Sequence, residues 1–203
     1  MIQLFGGQIS ILELIGTLFG IAGVWLTVKE NKLCFPFGIV NVALYAWLFF
    51  QSKLYADASL QLVYIILLVY GWFTWTSANA GERQLAVTRM SKNENLISIV
   101  VVIAATGLIG ALFRYNTDAA MPFVDSFTTS MSLLAQWMIA KKKIENWLIW
   151  IVADIIYIGM YVYKHLFLTS VLYFIFILIA IKGWQEWKKH LSDVTSAATK
   201  EVV

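Results

Sequence analysis

Seven apolar segments, at about 9–28, 35–51, 56–77, 96–114, 121–140, 144–163 and 166–187, constrain this chain more than any other feature. A helix needs about 20 largely apolar residues to cross roughly 30 Å of hydrocarbon, and each segment reaches or approaches that length. Backbone amides find no water in hydrocarbon, so every span has to be helical and the fold an all-α membrane bundle of seven transmembrane helices. Composition agrees: 60% of the 203 residues are hydrophobic and 13% are charged, about half the charged share of a soluble domain. Only the stretch from Ser77 to Asn95 is long and polar, which predicts a loop or interfacial segment. The start MIQLFGGQ lacks a basic region of signal-peptide type, so the first apolar segment is expected to remain as a span. The tail after Lys188 is expected to be mobile.

Lysine and arginine concentrate in cytoplasmic loops, so their distribution predicts orientation. Alternate loops on one side carry Lys29, Lys32, Arg83, Arg89, Lys92 and Lys141 to Lys143, and Lys182, Lys188, Lys189 and Lys200 lie at the C-terminal end; the other side has Lys53, Arg114 and Lys164. Twelve against three places the N-terminus outside and the C-terminus in the cytoplasm. The net charge of +3 is too small to suggest a nucleic-acid partner.

An internal repeat organises the chain. Laying 9–75 over 121–187 with one offset of 112 residues pairs Thr17 with Thr129, Trp25 with Trp137, Lys29 with Lys141 and Tyr45 with Tyr157. It also pairs Gly71, Trp72 and Trp75 with Gly183, Trp184 and Trp187, and sets Glu13 on Asp125. Chance similarity between apolar helices supplies Leu and Ile matches, but Trp, Gly and Lys at one offset indicate duplication. The expected organisation is a first three-helix repeat at 1–78, a polar loop and linker helix at 79–118, a second three-helix repeat at 119–188 and a tail at 189–203. One odd helix between the halves makes the repeats parallel, a 3+1+3 arrangement known from small transporters of the SWEET type.

Polar side chains inside spans are costly and mark candidate sites, each with helix-to-helix bonding as its structural alternative. Asp154 lies mid-span in the sixth segment with no basic residue at helical spacing before Lys164, and Tyr157 and Tyr161 extend it into an anionic and aromatic stripe suited to a cation. Trp150, one turn earlier, is the best placed indole for stacking on a ring. Asp125, Thr129, Ser132 and Gln136 form a polar stripe along the fifth segment. Asp125 and Glu13 also read as helix-start chemistry, with Ser10 and Glu13 as a capping box and Pro122 at the first helical position. Asn41 with Tyr45, and Gln61 with Tyr64, offer donors and acceptors in the second and third segments, and Tyr173 stands where the repeat would place Gln61. Trp25, Trp72, Trp75, Trp137, Trp147, Trp184 and Trp187 read as interfacial anchors.

Other chemistries find no residues. His165 and His190 have no metal-ligand neighbours at useful spacing, no P-loop or G-x-S-x-G occurs, and the single Cys34 forms no intrachain disulfide. Metal, cofactor and enzymatic activity are therefore not expected, although a membrane-bound enzyme or a non-transporting assembly protein remains the competing class. Span interiors lack the Lys or Arg clamps that a phosphorylated ligand needs.

The residues Gly38 to Asn41, LYAD with Gln61, YGWxxW, the Asp125-Ser126 pair and K-x-x-E-N-W-L-x-W at the start of the sixth segment resemble the PnuC family of vitamin transporters over about Leu12 to Trp187. The resemblance implies uptake of a non-phosphorylated vitamin by facilitated diffusion across a bacterial inner membrane, with alternating access between two three-helix bundles and trapping by a cytoplasmic kinase. It leaves room for a homo-oligomer. Nicotinamide riboside is the expected substrate and thiamine the alternative, because Asp154 stands where nicotinamide riboside carriers of the family tend to have Asn.

Overall fold

The computed structural model describes residues 2–4, 7–9, 11–53, 55–77, 85–116, 121–163 and 167–200. A short antiparallel hairpin, β1 (Ile2–Leu4) with β2 (Gly7–Ile9), precedes seven helices. These are α1 (Ile11–Val28), α2 (Cys34–Gln51), α3 (Tyr55–Ser77), α4 (Lys92–Asn116), α5 (Pro122–Ala140), α6 (Asn146–Tyr163) and α7 (Phe167–Lys200). Six are long and apolar enough to cross a membrane, and α5 falls short because Ser126, Thr128, Ser130, Ser132, Asp125 and Gln136 replace aliphatic side chains. Nine residues of α5 are buried, including those four hydroxyl residues, so protein rather than lipid surrounds its polar face. Helix α7 continues to Lys200, past the apolar stretch expected to end near 187.

The chain divides into two compact units, Met1–Leu85 and Ala86–Val203. In the first, α2 packs on both α1 and α3; in the second, α4 packs on α5, α5 on α6 and α6 on α7. The same offset of 112 that aligns the sequences aligns the local geometry: α2 and α6 are both 18 residues long and their ends differ by that number. The preceding turns match as well. Glu30 and Lys142 both adopt left-handed backbone, with φ of 51° and 49°. Asn31 N donates to Leu26 O, and Lys143 N to Met138 O, each at 2.9 Å.

Each unit is pinned at one seam. Phe35 of α2 meets Trp75 of α3 edge to face, with centroids 5.0 Å apart at 89°; Trp147 of α6 meets Trp187 of α7 at 5.4 Å and 85°. Glycine opens the slot for both rings, four residues before the tryptophan. A Cβ on Gly71 would run into the Phe35 ring, and one on Gly183 would lie 2.5 Å from the Trp147 ring. Trp75, Trp147 and Trp187, expected as interfacial anchors, are buried core residues at 6%, 1% and 0% exposure, because the missing glycine side chains draw the rings between helices. Trp25 remains half exposed, with Lys29 Nζ 5.5 Å from its ring centroid.

In the second unit the segment before α4 is not a free loop. Thr88 pairs in parallel with Lys143, donating to Lys142 O and accepting from Ile144 N, both at 3.0 Å. Ser91 and Glu94 form a capping box: Ser91 N donates to Glu94 Oε2 at 2.6 Å and Glu94 N donates to Ser91 Oγ at 3.2 Å. Lys143 Nζ adds an ion pair to Glu94 Oε1 at 3.1 Å. The capping box expected for α1 involves Ser10, which lies outside the described residues.

Candidate functional site

Helical spacing on α6 puts Trp150, Asp154, Tyr157 and Tyr161 along one face. Asp154 is 3% exposed, and among the described residues no lysine or arginine pairs with it. Beyond it Tyr157 and Tyr161 stack with centroids 6.1 Å apart, and Tyr173 of α7 closes on them at 5.0 and 5.1 Å. Phe176, one turn further along α7, meets Tyr173 edge to face at 5.9 Å. Asp154 is within electrostatic reach of both Tyr157 and Tyr173, and Asp125 of Tyr157. The cluster therefore sets a buried acid beside three phenol rings.

Helix α5 supplies the polar wall. The Tyr157 hydroxyl is within polar reach of the Thr128 and Ser132 side chains. Ser126 Oγ donates to Pro122 O at 2.6 Å, Ser130 Oγ to Ser126 O at 2.8 Å and Ser132 Oγ to Thr128 O at 2.8 Å. Each hydroxyl thus uses its proton on its own helix and keeps lone pairs for a neighbour, which lets so polar a helix stay buried. Asp125, Thr129 and Gln136 are half-buried on the same helix, and Trp150 is half-buried one turn before Asp154.

In the first unit Asn41 Nδ2 donates to Gly16 O at 2.7 Å, and its amide nitrogen lies 3.0 Å from the Cβ position of Gly20. Tyr45 shares a 2.9 Å hydrogen bond with Thr17. Gln61 and Tyr64 are half-buried on α3, while Glu13 is exposed in the first turn of α1. Of the residues singled out from sequence, the structure thus brings together Asp154, Tyr157 and Tyr173 with Asp125 in range. Glu13, Asn41, Gln61 and Tyr64 belong to the other unit. Thr128 escaped the sequence reading; its signal was the exchange of Gly16 for Thr at the repeat offset, beside that of Gly20 for Ser132. Among the described residues no cluster could hold a metal ion.

A bundle of apolar helices with a buried acid that has no basic partner among the described residues, beside a polar wall, fits a multi-pass membrane protein of transporter type. The sequence model of the family described as nicotinamide mononucleotide transporter matches residues 10–189. The nicotinamide riboside transporter PnuC of Escherichia coli (strain K12) is 28% identical over 207 residues, covering 90% of this chain and 87% of that protein. The riboflavin/roseoflavin transporter RibM of Streptomyces davaonensis is 20% identical, with coverage of 91% and 87%. The crystal structure of the vitamin B3 transporter PnuC shares the fold, with a TM-score of 0.72 at 19% identity over 93% of this chain and 95% of that one. The chain belongs to the nicotinamide mononucleotide transporter family and is a membrane transporter rather than an enzyme.

Proposed function

We propose that this transporter takes up a cationic vitamin without a phosphate, nicotinamide riboside first and thiamine second, across a bacterial inner membrane. Asp154 carries the reading. A buried carboxylate without a basic partner is costly, and a ligand with a permanent positive charge on an aromatic ring both neutralises it and suits neighbouring tyrosine faces. The names of the relatives support a nicotinamide nucleoside, and the absence of Lys or Arg from the middle of the spans speaks against a phosphorylated one.

Transport proceeds by facilitated diffusion with alternating access of two parallel three-helix repeats, at 1–78 and 119–188, joined through 79–118. The N-terminus is outside and the C-terminus cytoplasmic, where a kinase traps the substrate. Trp150, Asn41, Gln61, Tyr64, Gln136, Thr129 and Asp125 are the remaining candidate contacts, with Glu13 at the mouth. Labelled nicotinamide riboside and thiamine should enter liposomes containing only this protein, down their gradients and indifferent to imposed Na⁺ or proton gradients. Impermeability to both, or accumulation driven by an ion gradient, would contradict the proposal.

A further inference from the structure

The two seams that pin the units differ in one chemical respect. At the repeat offset, Cys34 and Phe35 of α2 become Asn146 and Trp147 of α6, in the same backbone setting: Cys34 N donates to Asn31 O at 2.9 Å and Phe35 N to Lys32 O at 3.2 Å, while Asn146 N donates to Lys143 O and Trp147 N to Ile144 O, both at 3.2 Å. The rings occupy equivalent slots over Gly71 and Gly183. Packing therefore asks only for an aromatic ring, and phenylalanine satisfies it in the first unit. The second unit instead buries an indole Nε1 with no hydrogen-bond partner among the described residues, preceded by an Asn146 whose Nδ2 donates to Lys143 O at 2.7 Å but whose Oδ1 likewise has none. Both residues are buried, at 1% and 0% exposure.

An unpaired buried donor or acceptor carries a desolvation cost. Two of them on consecutive residues, where the matching positions of the first unit pack without either, indicate a partner present in another state. Trp147 shares the α6 face of Asp154, seven residues or about 10 Å along the axis toward the lysine-rich loop. Resting on the vitamin-transport reading above, we infer that Asn146 and Trp147 form an inner hydrogen-bonding subsite, closed here by Gly183 and Trp187, that receives a neutral donor–acceptor group of the vitamin when the α6–α7 seam opens. The group is a carboxamide or a ribose hydroxyl: Trp147 Nε1 donates to its oxygen and Asn146 Oδ1 accepts its proton. The unpaired atoms also raise the closed state toward the open one.

The repeat supplies the test variants. Trp147→Phe and Asn146→Cys install the residues that the first unit already packs. In liposomes, each should slow nicotinamide riboside uptake about three- to tenfold, the range of one lost hydrogen bond. The melting temperature of the purified variants should be unchanged or higher. Wild-type liposomes impermeable to the vitamin would sink the transport reading itself. Active wild type with undiminished uptake in both variants would overturn the subsite alone, and so would a lower melting temperature with unchanged affinity by calorimetry, the pattern of a buried structural water. Competition by 1-methylnicotinamide, which has the carboxamide and no ribose, separates the two sources: its inhibition weakens in Trp147→Phe if the amide is the partner and is unaltered if a ribose hydroxyl is.

Discussion

The two compact units share local geometry at the offset of 112 residues and differ in what they bury. Helix ends, left-handed turns and ring-over-glycine seams repeat at an offset of 112 residues. The polar residues do not. Where the first unit has Gly16, Gly20, Val42 and Gln61, the second has Thr128, Ser132, Asp154 and Tyr173. In the first, Asn41 bonds α1 directly to α2 through Gly16 O; in the second, its counterpart Ala153 is buried beside an acid, and hydroxyls reach a tyrosine instead. Contacts that hold helices together thus recur at the offset, while the polar residues differ between the matching stretches, the asymmetry that an asymmetric ligand requires.

The sharpest break of that comparison is Asp154→Asn. A charge-assisted contact contributes roughly 1.5–3 kcal/mol, so binding of a cationic vitamin should weaken ~10–100-fold in calorimetric titration. Insertion and melting temperature should hold, because removing a charge from the bilayer relieves desolvation. The equivalent exchange in the first unit, Val42→Asn, has no charge to remove and should act on stability instead.

The next largest effect tests the shared scaffold. Gly71→Ala and Gly183→Ala each force a methyl group into an aromatic ring, and overpacking of this kind costs about 1–3 kcal/mol. Both should lower the melting temperature by similar amounts; a loss at one position only would mean that the seams are not equivalent. Thr128→Val removes one hydroxyl contact of Tyr157 and should weaken vitamin binding by less than tenfold, with little change in melting. The smallest effect falls on a feature of the second unit alone: Glu94→Gln breaks the Lys143 ion pair and half of the capping box near the surface, so only a small stability loss, screened away at high salt, is expected in denaturant titration. Orientation is best checked at Lys32, exposed in the α1–α2 turn, since Lys142 is buried at 7%. A cysteine at 32 should be labelled from the cytoplasmic side and not from outside.

Spans were legible because hydrocarbon imposes length and apolarity on each helix, and the matching turns and seams because Gly, Trp and Lys recur at one offset. The Trp75, Trp147 and Trp187 rings were misread as anchors: interfacial and core indoles look alike in sequence, and only the facing glycine on the neighbouring helix separates them. The strap from Thr88 to Glu94 was invisible for a related reason, since its partners Lys142 to Glu145 lie some fifty residues away and the bonds are largely main chain. Asp154 was legible because a carboxyl in mid-span has few ordinary explanations. Thr128 was not, because α5 is so rich in hydroxyls that several of its faces read as polar, and packing against α6 selects among them.

Charge selectivity tests the central claim most directly. Nicotinamide riboside and its reduced dihydro form have nearly the same shape, but only the first carries a positive ring. The affinities of both for wild type and for Asp154→Asn, measured by calorimetry in one detergent buffer, should show a preference for the cation of at least tenfold in wild type that vanishes in the variant. Equal affinities in wild type, or a preference that survives the substitution, would contradict the assignment of Asp154 as the group that recognises the substrate's charge.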